Sequence, residues 1–455
     1  MTNKRDLSAL DPPVDTERQG KRRHVTADSS DRKLELAFPS TSQTSQSKPV
    51  PFQQPVSLIT FSYTPSRKLE FNNSALRYYV NPPRNANLRH GYERWIKRPE
   101  EKGRIDGLLR ATSKLRNDMN AGASKGVDWI RSIGVVSWRG VMTKILTAPY
   151  EDRDSWEMNV MAIDGTMYFE EHLSDAKLVE KEDMAPHHRL QSYYGYSFES
   201  WCGSSKPEMP ENLEGQPPGW GGDVDTNVQW CSVVKTKLGD TRMVIGGEVD
   251  CVRNAFTGQT SDFVELKTSI AIRGPQDEAR FEKKLLKFYF QSFLLGVPEI
   301  IVGFRTPSGQ LNTIQLFKTA QIPRMVRGKP NAWDPTTCFA WGQQFFAFLK
   351  SVIHPSAEPI AEQQGNVTSA LRPQVWRVKF EPRVGVSVSL LGDAGVSEIQ
   401  AGEDRVGFLP RWYWDEVQTY SGQISVTTQA FDPTHGKGEA PGTSSAQGMS
   451  REWQI

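Results

Sequence analysis

Two short stretches of β-strand pattern, separated by a turn, constrain the fold more than any other part of the chain. The first runs from Met243 to Val252, and alternation along a strand places its Glu248 and Asp250 on one face, about 7 Å apart. The second runs from Phe263 to Lys267 and places Glu265 and the lysine on one face. If the two strands pair, their polar faces converge, and three carboxylates and one lysine share a site.

Converging carboxylates repel one another unless a cation lies among them. Hard oxygen ligands of this kind suit Mg²⁺ or Mn²⁺, and two such ions about 3.5 to 4 Å apart are a standard device for in-line attack on phosphorus. Lys267 would orient the attacking water or neutralise charge in the transition state. The alternative is an exposed polar sheet face, because Val249, Cys251, Val264 and Leu266 form an apolar opposite face, as in any half-exposed sheet.

The other patterns predict strands and helices in an irregular order. The helical patterns cover 105–118, 282–295 and 338–352. The strand patterns cover 134–138, 156–163, 229–235, 243–252, 263–267 and 300–304. This order does not fit a regular βαβ winding, so we predict a mixed α/β (α+β) fold with a mixed β-sheet core and flanking helices.

The polar ends of the chain bound one large folded domain. Residues 1–50 are rich in Ser, Thr, Gln, Pro and charged residues, and 426–455 repeat that composition, so we predict a disordered tail at each end and a catalytic domain over 51–425. Two basic clusters in the first tail, Lys4-Arg5 and Lys21-Arg22-Arg23, are typical of a loose bipartite nuclear-import signal. Ordinary solvated charge in a tail is the alternative.

Composition excludes several classes of protein. The 455 residues contain 55 Lys and Arg against 53 Asp and Glu, so a polybasic nucleic-acid binder is excluded and any RNA contact must come from local patches. The four cysteines contain no Cys-x-x-Cys pair, which excludes a zinc ribbon and favours a reducing compartment. No apolar run approaches the length that crosses a bilayer, so we expect no membrane partner and a soluble, intracellular protein.

Two further motifs carry charged or polar groups that suit a phosphate substrate. The segment Val135-Val-Ser-Trp138-Arg139-Gly140 places an arginine at the end of an apolar strand, where Arg139 would fork two phosphate oxygens; the alternative is a surface arginine paired to an acid. Helical spacing puts Lys284, Lys287 and Gln291 on one stripe. One interpretation is that this stripe binds along an RNA backbone. The alternative is that it is a solvated helix face.

The acidic motifs resemble the plan of the restriction-endonuclease-like nucleases, in which an acidic strand pair precedes Glu-x-Lys on the next strand. Fourteen residues separate Asp250 from Glu265, a spacing that this plan permits. A longer series of motifs resembles the DXO-type RNA decapping nucleases, above all the fungal nuclear members that partner the nuclear 5′→3′ exoribonuclease. In chain order the series is Trp138-Arg-Gly, Gly195-x-x-x-Glu199, Glu248-Val-Asp250, Glu265-Leu-Lys267, Lys284-Leu-Leu-Lys-x-x-x-Gln291 and Gly296-Val-Pro-x-x-x-x-Gly303-Phe-Arg305.

The resemblance implies a single mixed α/β domain around a deep acidic cleft, with a role for each matched residue. The implied ligands of the divalent ions are Glu199, Glu248, Asp250, Glu265 and the main-chain carbonyl of Leu266. The implied contacts to the scissile phosphate and the water are Lys267 and Gln291. The implied contacts to the RNA 5′ end or body are Arg67, Trp138, Arg139, Gly140 and Cys231. Gly103 departs from the pattern, since some members carry a substrate-contacting helix acid there, and here Glu100 and Glu101 lie nearby.

The implied activity is quality control of RNA 5′ ends. Such enzymes remove pyrophosphate from 5′-triphosphate RNA, release unmethylated or incomplete caps and remove NAD caps, which leaves a 5′-monophosphate for an exoribonuclease in the nucleus. Two other hypotheses remain. In one, the protein is mainly a non-catalytic stabilising partner of a nuclear exoribonuclease; in the other, it is a DNA endonuclease that nicks duplex DNA, which the series of motifs disfavours.

Overall fold

The computed structural model describes residues 34–39, 49–122, 129–330, 332–353 and 373–419. Its helices are α1 Asp106–Gly122, α2 Arg139–Thr147, α3 Asp175–Glu182, α4 Pro186–Cys202, α5 Pro275–Phe293, α6 Ile322–Val326, α7 Pro335–Ile353 and α8 Asp393–Gln400. Its strands are β1 Leu34–Ala37, β2 Phe52–Tyr63, β3 Leu69–Glu70, β4 Tyr78–Tyr79, β5 Val135–Trp138, β6 Trp156–Ile163, β7 Thr166–Glu171, β8 Gly203–Ser204, β9 Gln229–Leu238, β10 Thr241–Glu248, β11 Cys251–Val252, β12 Phe263–Ile270, β13 Glu299–Arg305, β14 Leu311–Lys318, β15 Trp376–Glu381, β16 Gly385–Leu390, β17 Arg405–Val406 and β18 Leu409–Pro410.

The strands form two mixed sheets and a small β17-β18 pair. The larger sheet has ten strands in the order β1-β16-β15-β6-β7-β5-β10-β9-β2-β3, and the smaller has six in the order β14-β13-β12-β11-β4-β8. In the larger sheet β5 runs parallel to β7 and β10, and in the smaller β12 runs parallel to β13 and β4 to β11; the other pairs are antiparallel. This architecture confirms the predicted mixed α/β class.

Helices pack on both faces of each sheet. Helices α2, α5 and α7 bury their apolar faces in one core cluster with side chains from both sheets, so they form a layer between the sheets. Helix α1 covers the other face of the ten-stranded sheet, and α4 covers the other face of the six-stranded sheet. Alternation decides which layer each strand residue joins: Met243 and Ile245 join the central core, and Val244 joins the cluster under α1.

The stretch predicted as one strand over 243–252 is two strands in different sheets. Strand β10 ends at Glu248 in the ten-stranded sheet, and β11 begins at Cys251 in the six-stranded sheet, where it pairs antiparallel with β12. The two residues between them carry the chain from one sheet to the other, which alternation within the segment does not reveal. As a result, Glu248 and Asp250 lie at the junction of the two sheets.

The first predicted tail contains an ordered strand, which corrects its boundary. Strand β1, inside the predicted 1–50 tail, pairs antiparallel with β16 at the edge of the ten-stranded sheet. Leu36 and Phe38 pack against the core, and the Phe38 ring lies 6.3 Å from that of Phe380, so this short segment buries enough apolar surface to order. Residues 1–33 with both basic clusters, residues 40–48 and residues 426–455 lie outside the described residues. In the described ranges no helix is long and apolar enough to cross a membrane.

Candidate active site

Four carboxylates lie close together where the two sheets meet. Glu248 ends β10, Asp250 follows it, Glu265 lies on β12, and Glu199 lies on α4, the helix that packs against β12. Three of them, Glu199, Glu248 and Asp250, line a cleft of about 550 Å³, and Glu265 is fully buried. The structure therefore brings together the four acids that the sequence predicted.

Glu265 is the most strongly bound of these acids. Its side chain is fully buried, Arg139 Nη1 donates to its Oε2 at 2.9 Å, and Lys267 Nζ donates to its Oε1. Burial acts to raise the pKa of Glu265, but the positive charges of Arg139 and Lys267 outweigh burial and hold the pKa below its usual value. Glu265 is therefore ionised and paired at neutral pH.

The other three acids have too little positive charge around them. Burial, and next the charge of Glu265, raise the pKa of Asp250 to about 7. Burial raises the pKa of Glu248, and burial together with the charges of Asp250 and Glu248 raises that of Glu199 well above its usual value. Four carboxylates share the two nearest cations, so the cluster carries an excess of negative charge.

This charge excess and the donor chemistry fit divalent cations. As the side chains are placed, no three His, Cys, Asp or Glu residues within the described ranges already stand at the spacing that holds a metal ion. Ion binding therefore requires some rearrangement of the carboxylates. Carboxylate oxygens are the ligands that Mg²⁺ and Mn²⁺ prefer, and a dication would offset the repulsion that raises the three pKa values. The residues that would hold it are Glu199, Glu248, Asp250 and Glu265.

The backbone of Leu266 is oriented by Asp250. The Leu266 N–H donates to Asp250 Oδ2 at 2.6 Å, in place of a strand partner, because β11 pairs with β12 only as far as Val264. The N–H and C=O of one strand residue point to the same side, so the Leu266 carbonyl faces the side on which Asp250 lies. This placement supports the predicted ligand role of that carbonyl.

Two glycines before Glu248 allow the β5–α2 segment to pack closely on β10. A Cβ on Gly246 would lie 2.7 Å from the Trp138 ring, and one on Gly247 would lie 2.8 Å from Leu295 and 3.0 Å from the Arg139 Cβ. The Trp138 indole donates to the Arg104 carbonyl at 3.0 Å, so its ring is fixed. Arg139 is thus held against the acids by close packing.

We expect Gly246→Ala to destabilise the fold by about 1 to 3 kcal/mol, because the added methyl group meets a rigid indole ring in a packed region. The free energy of unfolding in urea measures this effect. Gly103→Ala is the matched control, since a Cβ there meets nothing within 4 Å. Equal stability of the two variants would contradict the packing argument.

The predicted phosphate and RNA contacts have different surroundings. Arg139 is paired to an acid, as the alternative proposed, but that acid is Glu265 of the cluster. Gly140 is exposed on α2, and a Cβ there would meet nothing within 4 Å. Cys231 is buried opposite Glu248 in the β9–β10 ladder, and burial and that carboxylate raise its thiol pKa. Its contact with RNA stays a prediction.

The basic stripe of α5 is partly engaged in ion pairs. Lys287 lies 3.1 Å from Glu151, which ties this helix to the loop after α2. Burial, and next the charge of Arg305, lower the pKa of Lys284. Gln291 is half-buried on the same helix, which packs against β12. The Lys287 ion pair favours the solvated-face alternative for that residue.

The loop before α1 lines the cleft with both signs of charge. Gly103, Glu100 and Glu101 all line it, and Arg98 Nε donates to Glu101 at 3.0 Å. The predicted departure therefore falls inside the cleft, where Gly103 contributes no carboxylate of its own.

Sequence reasoning missed Gln229, which contacts the acidic cluster. Its Nε2 donates to Glu248 Oε2 at 2.8 Å, and its Oε1 accepts from Arg67 Nη1 at 2.7 Å. Arg67 also donates to the Asn227 carbonyl and lies 3.9 Å above the Tyr63 ring. The only signal in the sequence is that Gln229 and Cys231 share one face of β9. This signal does not point to Glu248 unless the register of β9 with β10 is known.

The site and the fold together define a class of enzyme. A buried Glu-x-Asp pair followed by Glu-x-Lys on the neighbouring strand, at a sheet junction, defines a nuclease of the PD-(D/E)XK type. The chain belongs to the family of RAI1-like PD-(D/E)XK nucleases, whose sequence profile matches residues 53–414. This match confirms the family resemblance and the enzyme class predicted from the motifs.

Individual relatives agree with the family match. The chain is 36% identical over 364 residues to the decapping nuclease RAI1 of Cryptococcus neoformans var. neoformans. The aligned region covers 76% of this chain and 91% of that protein. It is 33% identical over 413 residues to the decapping and exoribonuclease protein of Mus musculus, which covers 88% of this chain and 95% of that protein.

Solved structures share the fold. Candida albicans Rai1 in complex with pU5-Mn²⁺ matches with a TM-score of 0.69 at 22% identity, over 86% of this chain and 100% of that chain. S. pombe Rai1 in complex with 3′-FADP matches with a TM-score of 0.60 at 25% identity, over 79% of this chain and 100% of that chain.

Proposed function

We propose that the protein is a divalent-metal-dependent hydrolase that acts on RNA 5′ ends. The single observation that carries the proposal is the buried group of four carboxylates with only two nearby cations, at the site where the family plan expects metal ligands. The decapping relatives supply the substrate class, because the chain covers most of their length at 33 to 36% identity.

The chain's own residues would perform most of the positioning. Bound Mg²⁺ or Mn²⁺, two ions on the family plan, would supply Lewis-acid stabilisation of charge on the phosphoryl oxygens. Lys267, held beside Glu265, would neutralise negative charge that builds on the phosphoryl oxygens during attack. Arg139 holds Glu265 ionised, so that this carboxylate is available as a ligand. Gln291 would contact the scissile phosphate or the water.

We propose three kinds of substrate at this one site. Removal of pyrophosphate from a 5′-triphosphate, of an unmethylated or incomplete cap, and of an NAD cap each cleaves a phosphorus–oxygen bond near the first nucleotide and leaves a 5′-monophosphate. The dinucleotide-type cap is supported by S. pombe Rai1, which was solved with 3′-FADP and is 25% identical to this chain. The cleft of about 550 Å³ has room for a nucleotide beside the acids.

The proposed activity is tested by release of labelled pyrophosphate from 5′-triphosphate RNA. We expect release with Mg²⁺ or Mn²⁺ and none with EDTA, because the carboxylates alone offer no positive charge to the phosphates. Capped and NAD-capped RNAs, assayed in parallel, rank the three substrates. Absence of release from all three RNAs by folded protein with either metal would contradict the proposal.

We further propose that the protein works in the nucleus and hands its 5′-monophosphate product to a nuclear 5′→3′ exoribonuclease. Support comes from the resemblance to the fungal nuclear members and from the basic clusters Lys4-Arg5 and Lys21-Arg22-Arg23. Replacing the basic residues of both clusters by Ser should move a fluorescently tagged protein out of the nucleus. Unchanged nuclear location would contradict the import role.

One variant distinguishes a role in stabilising the exoribonuclease from the enzymatic activity. Asp250→Ala lacks a central carboxylate of the site, whereas a partner surface away from the cleft is left intact. Survival of exoribonuclease binding and stabilisation in this variant, with loss of pyrophosphate release, would show that the two roles coexist. Loss of both would show that the partner depends on the catalytic cleft.

A further inference from the structure

Gln229 lies between a cation and an acid of the catalytic cluster. Arg67 donates to its carbonyl oxygen, and its own amide nitrogen donates to Glu248, at 2.7 and 2.8 Å respectively. A second Arg67 bond, 2.9 Å to the Asn227 carbonyl, fixes the guanidinium at the start of β9. The three side chains therefore form one continuous hydrogen-bonded chain that ends on a carboxylate of the site.

Strand register explains why these side chains meet. Tyr63 of β2 pairs with Gln229 of β9, and Cys231 of β9 pairs with Glu248 of β10. Residues 229 and 231 lie on one face of β9, so Gln229 is a diagonal neighbour of Glu248, within reach of a long side chain. Arg67 reaches the same face by stacking on the Tyr63 ring at 3.9 Å.

The chemistry of the two ends allows only one orientation of the amide. Arginine can only donate and an ionised carboxylate can only accept, so the carbonyl oxygen must face Arg67 and the NH₂ group must face Glu248. A flipped amide would oppose donor to donor and acceptor to acceptor. Arg67 therefore fixes which group Gln229 presents to the acid.

We propose that Gln229 is a positioning residue that restricts the orientation of the Glu248 carboxylate beside the ion site, and that Arg67 acts on Glu248 through it. The bond to Oε2 restricts rotation of a carboxylate that otherwise has a broad terminal torsion. Partners of this kind, one shell removed from the ion, commonly control metal affinity. This inference rests on the proposed function, because it takes Glu248 as a ligand.

The first test measures Mn²⁺ binding by calorimetry in the absence of RNA. Gln229→Met keeps the length of the side chain and removes both hydrogen bonds, so we expect Mn²⁺ to bind roughly 10- to 100-fold more weakly. Gln53→Met makes the same change at an exposed position of β2 and should bind Mn²⁺ as the wild type does. Wild-type Mn²⁺ affinity in Gln229→Met would overturn the proposal.

Two further measurements distinguish a positioning role of Gln229 from a role in fold stability alone. We expect Gln229→Met to remain fully folded at the temperature of the Mn²⁺ titration, and kcat for pyrophosphate release to fall more than KM rises. If Gln229→Met does not fold, Gln229→Asn serves instead, because its shorter amide cannot span Arg67 and Glu248. A fall in stability with unchanged Mn²⁺ binding would overturn the proposal.

The second link is tested by combining variants. If Arg67 acts through Gln229, the single variant Arg67→Met should bind Mn²⁺ more weakly than the wild type. Added to Gln229→Met, the same change should lower the Mn²⁺ affinity by less than about a further twofold. If the two losses of Mn²⁺ affinity add fully in the double variant, Arg67 does not act through Gln229. Because Mn²⁺ is titrated without RNA, contacts between Arg67 and RNA do not affect the measured affinities. An inactive wild type contradicts the proposed function, whereas an active wild type with normal Mn²⁺ binding in Gln229→Met contradicts only this inference.

Discussion

Asp250→Asn is expected to lower kcat for pyrophosphate release on the order of a thousandfold and, without metal, to make the fold more stable. The loss of rate follows because a ligand charge worth about 4 kcal/mol to the transition state is removed. The gain in stability follows because burial and Glu265 raise the pKa of Asp250 to about 7, so its ionisation in the folded state is unfavourable. The asparagine still accepts from the Leu266 N–H.

Asp250 makes the stability of the metal-free protein depend on pH. A carboxyl whose pKa is higher folded than unfolded disfavours folding once the pH exceeds the unfolded value, and fully so above the folded value. In EDTA, the unfolding temperatures of wild type and Asp250→Asn should therefore coincide near pH 4 and diverge up to pH 8, with the variant higher. Added Mn²⁺ should stabilise the wild type only. A variant that loses stability at pH 8, or keeps its activity, would contradict this account.

Arg139→Met is expected to destabilise the protein by about 3 to 5 kcal/mol. It removes a partner of Glu265, which is fully buried, and leaves an acid with one cation in place of two. The wild-type pair contributes stability above the unfolded pKa of Glu265, near 4.5, and loses it as the pH falls through the lower folded pKa. The variant should therefore differ most from the wild type at neutral pH and least in acid.

Two companion variants separate charge from packing. Arg139→Met combined with Glu265→Gln should recover most of the lost stability while remaining inactive, because no uncompensated carboxylate is left buried. Arg131→Met removes an arginine from a partly exposed pair with Asp164, and should cost less than about 1 kcal/mol. The measurement is the free energy of unfolding in urea at pH 7.5. Failure of the double variant to recover stability would show that Arg139 acts through packing.

Glu248, Asp250, Glu265 and Lys267 were predictable as one cluster because their signal is local. Alternation over two short segments placed these three acids, and the Glu-x-Lys spacing placed Lys267 beside Glu265, whereas Glu199 was predicted only from the family resemblance. The split of 243–252 between two sheets was not predictable, because a strand that changes sheets keeps its alternation. The helix that carries Glu199 was missed as well, although Pro186 at its first turn is a typical start signal.

The contacts between distant segments were beyond the sequence. Arg67 and Gln229 are 162 positions apart, and their hydrogen bond depends on the register of β2 with β9. In the same way, Arg139 was predicted as a phosphate contact or a surface ion pair, since nothing local shows that α2 begins opposite β12. Strand β1 was placed in a tail because its four residues are a weak pattern on their own, and its partner β16 lies about 350 residues away.

The division of the acids between two sheets makes catalysis a property of the whole domain. Glu248 belongs to the ten-stranded sheet and Glu265 to the six-stranded one, and the layer of α2, α5 and α7 sets the separation between them. A cavity created far from the cleft, in that helical layer, would let the sheets shift relative to each other. Turnover should therefore decline in such variants even while all of the protein is still folded. The reaction rate then reports on the packing of the helical layer more sensitively than the fraction of folded protein does.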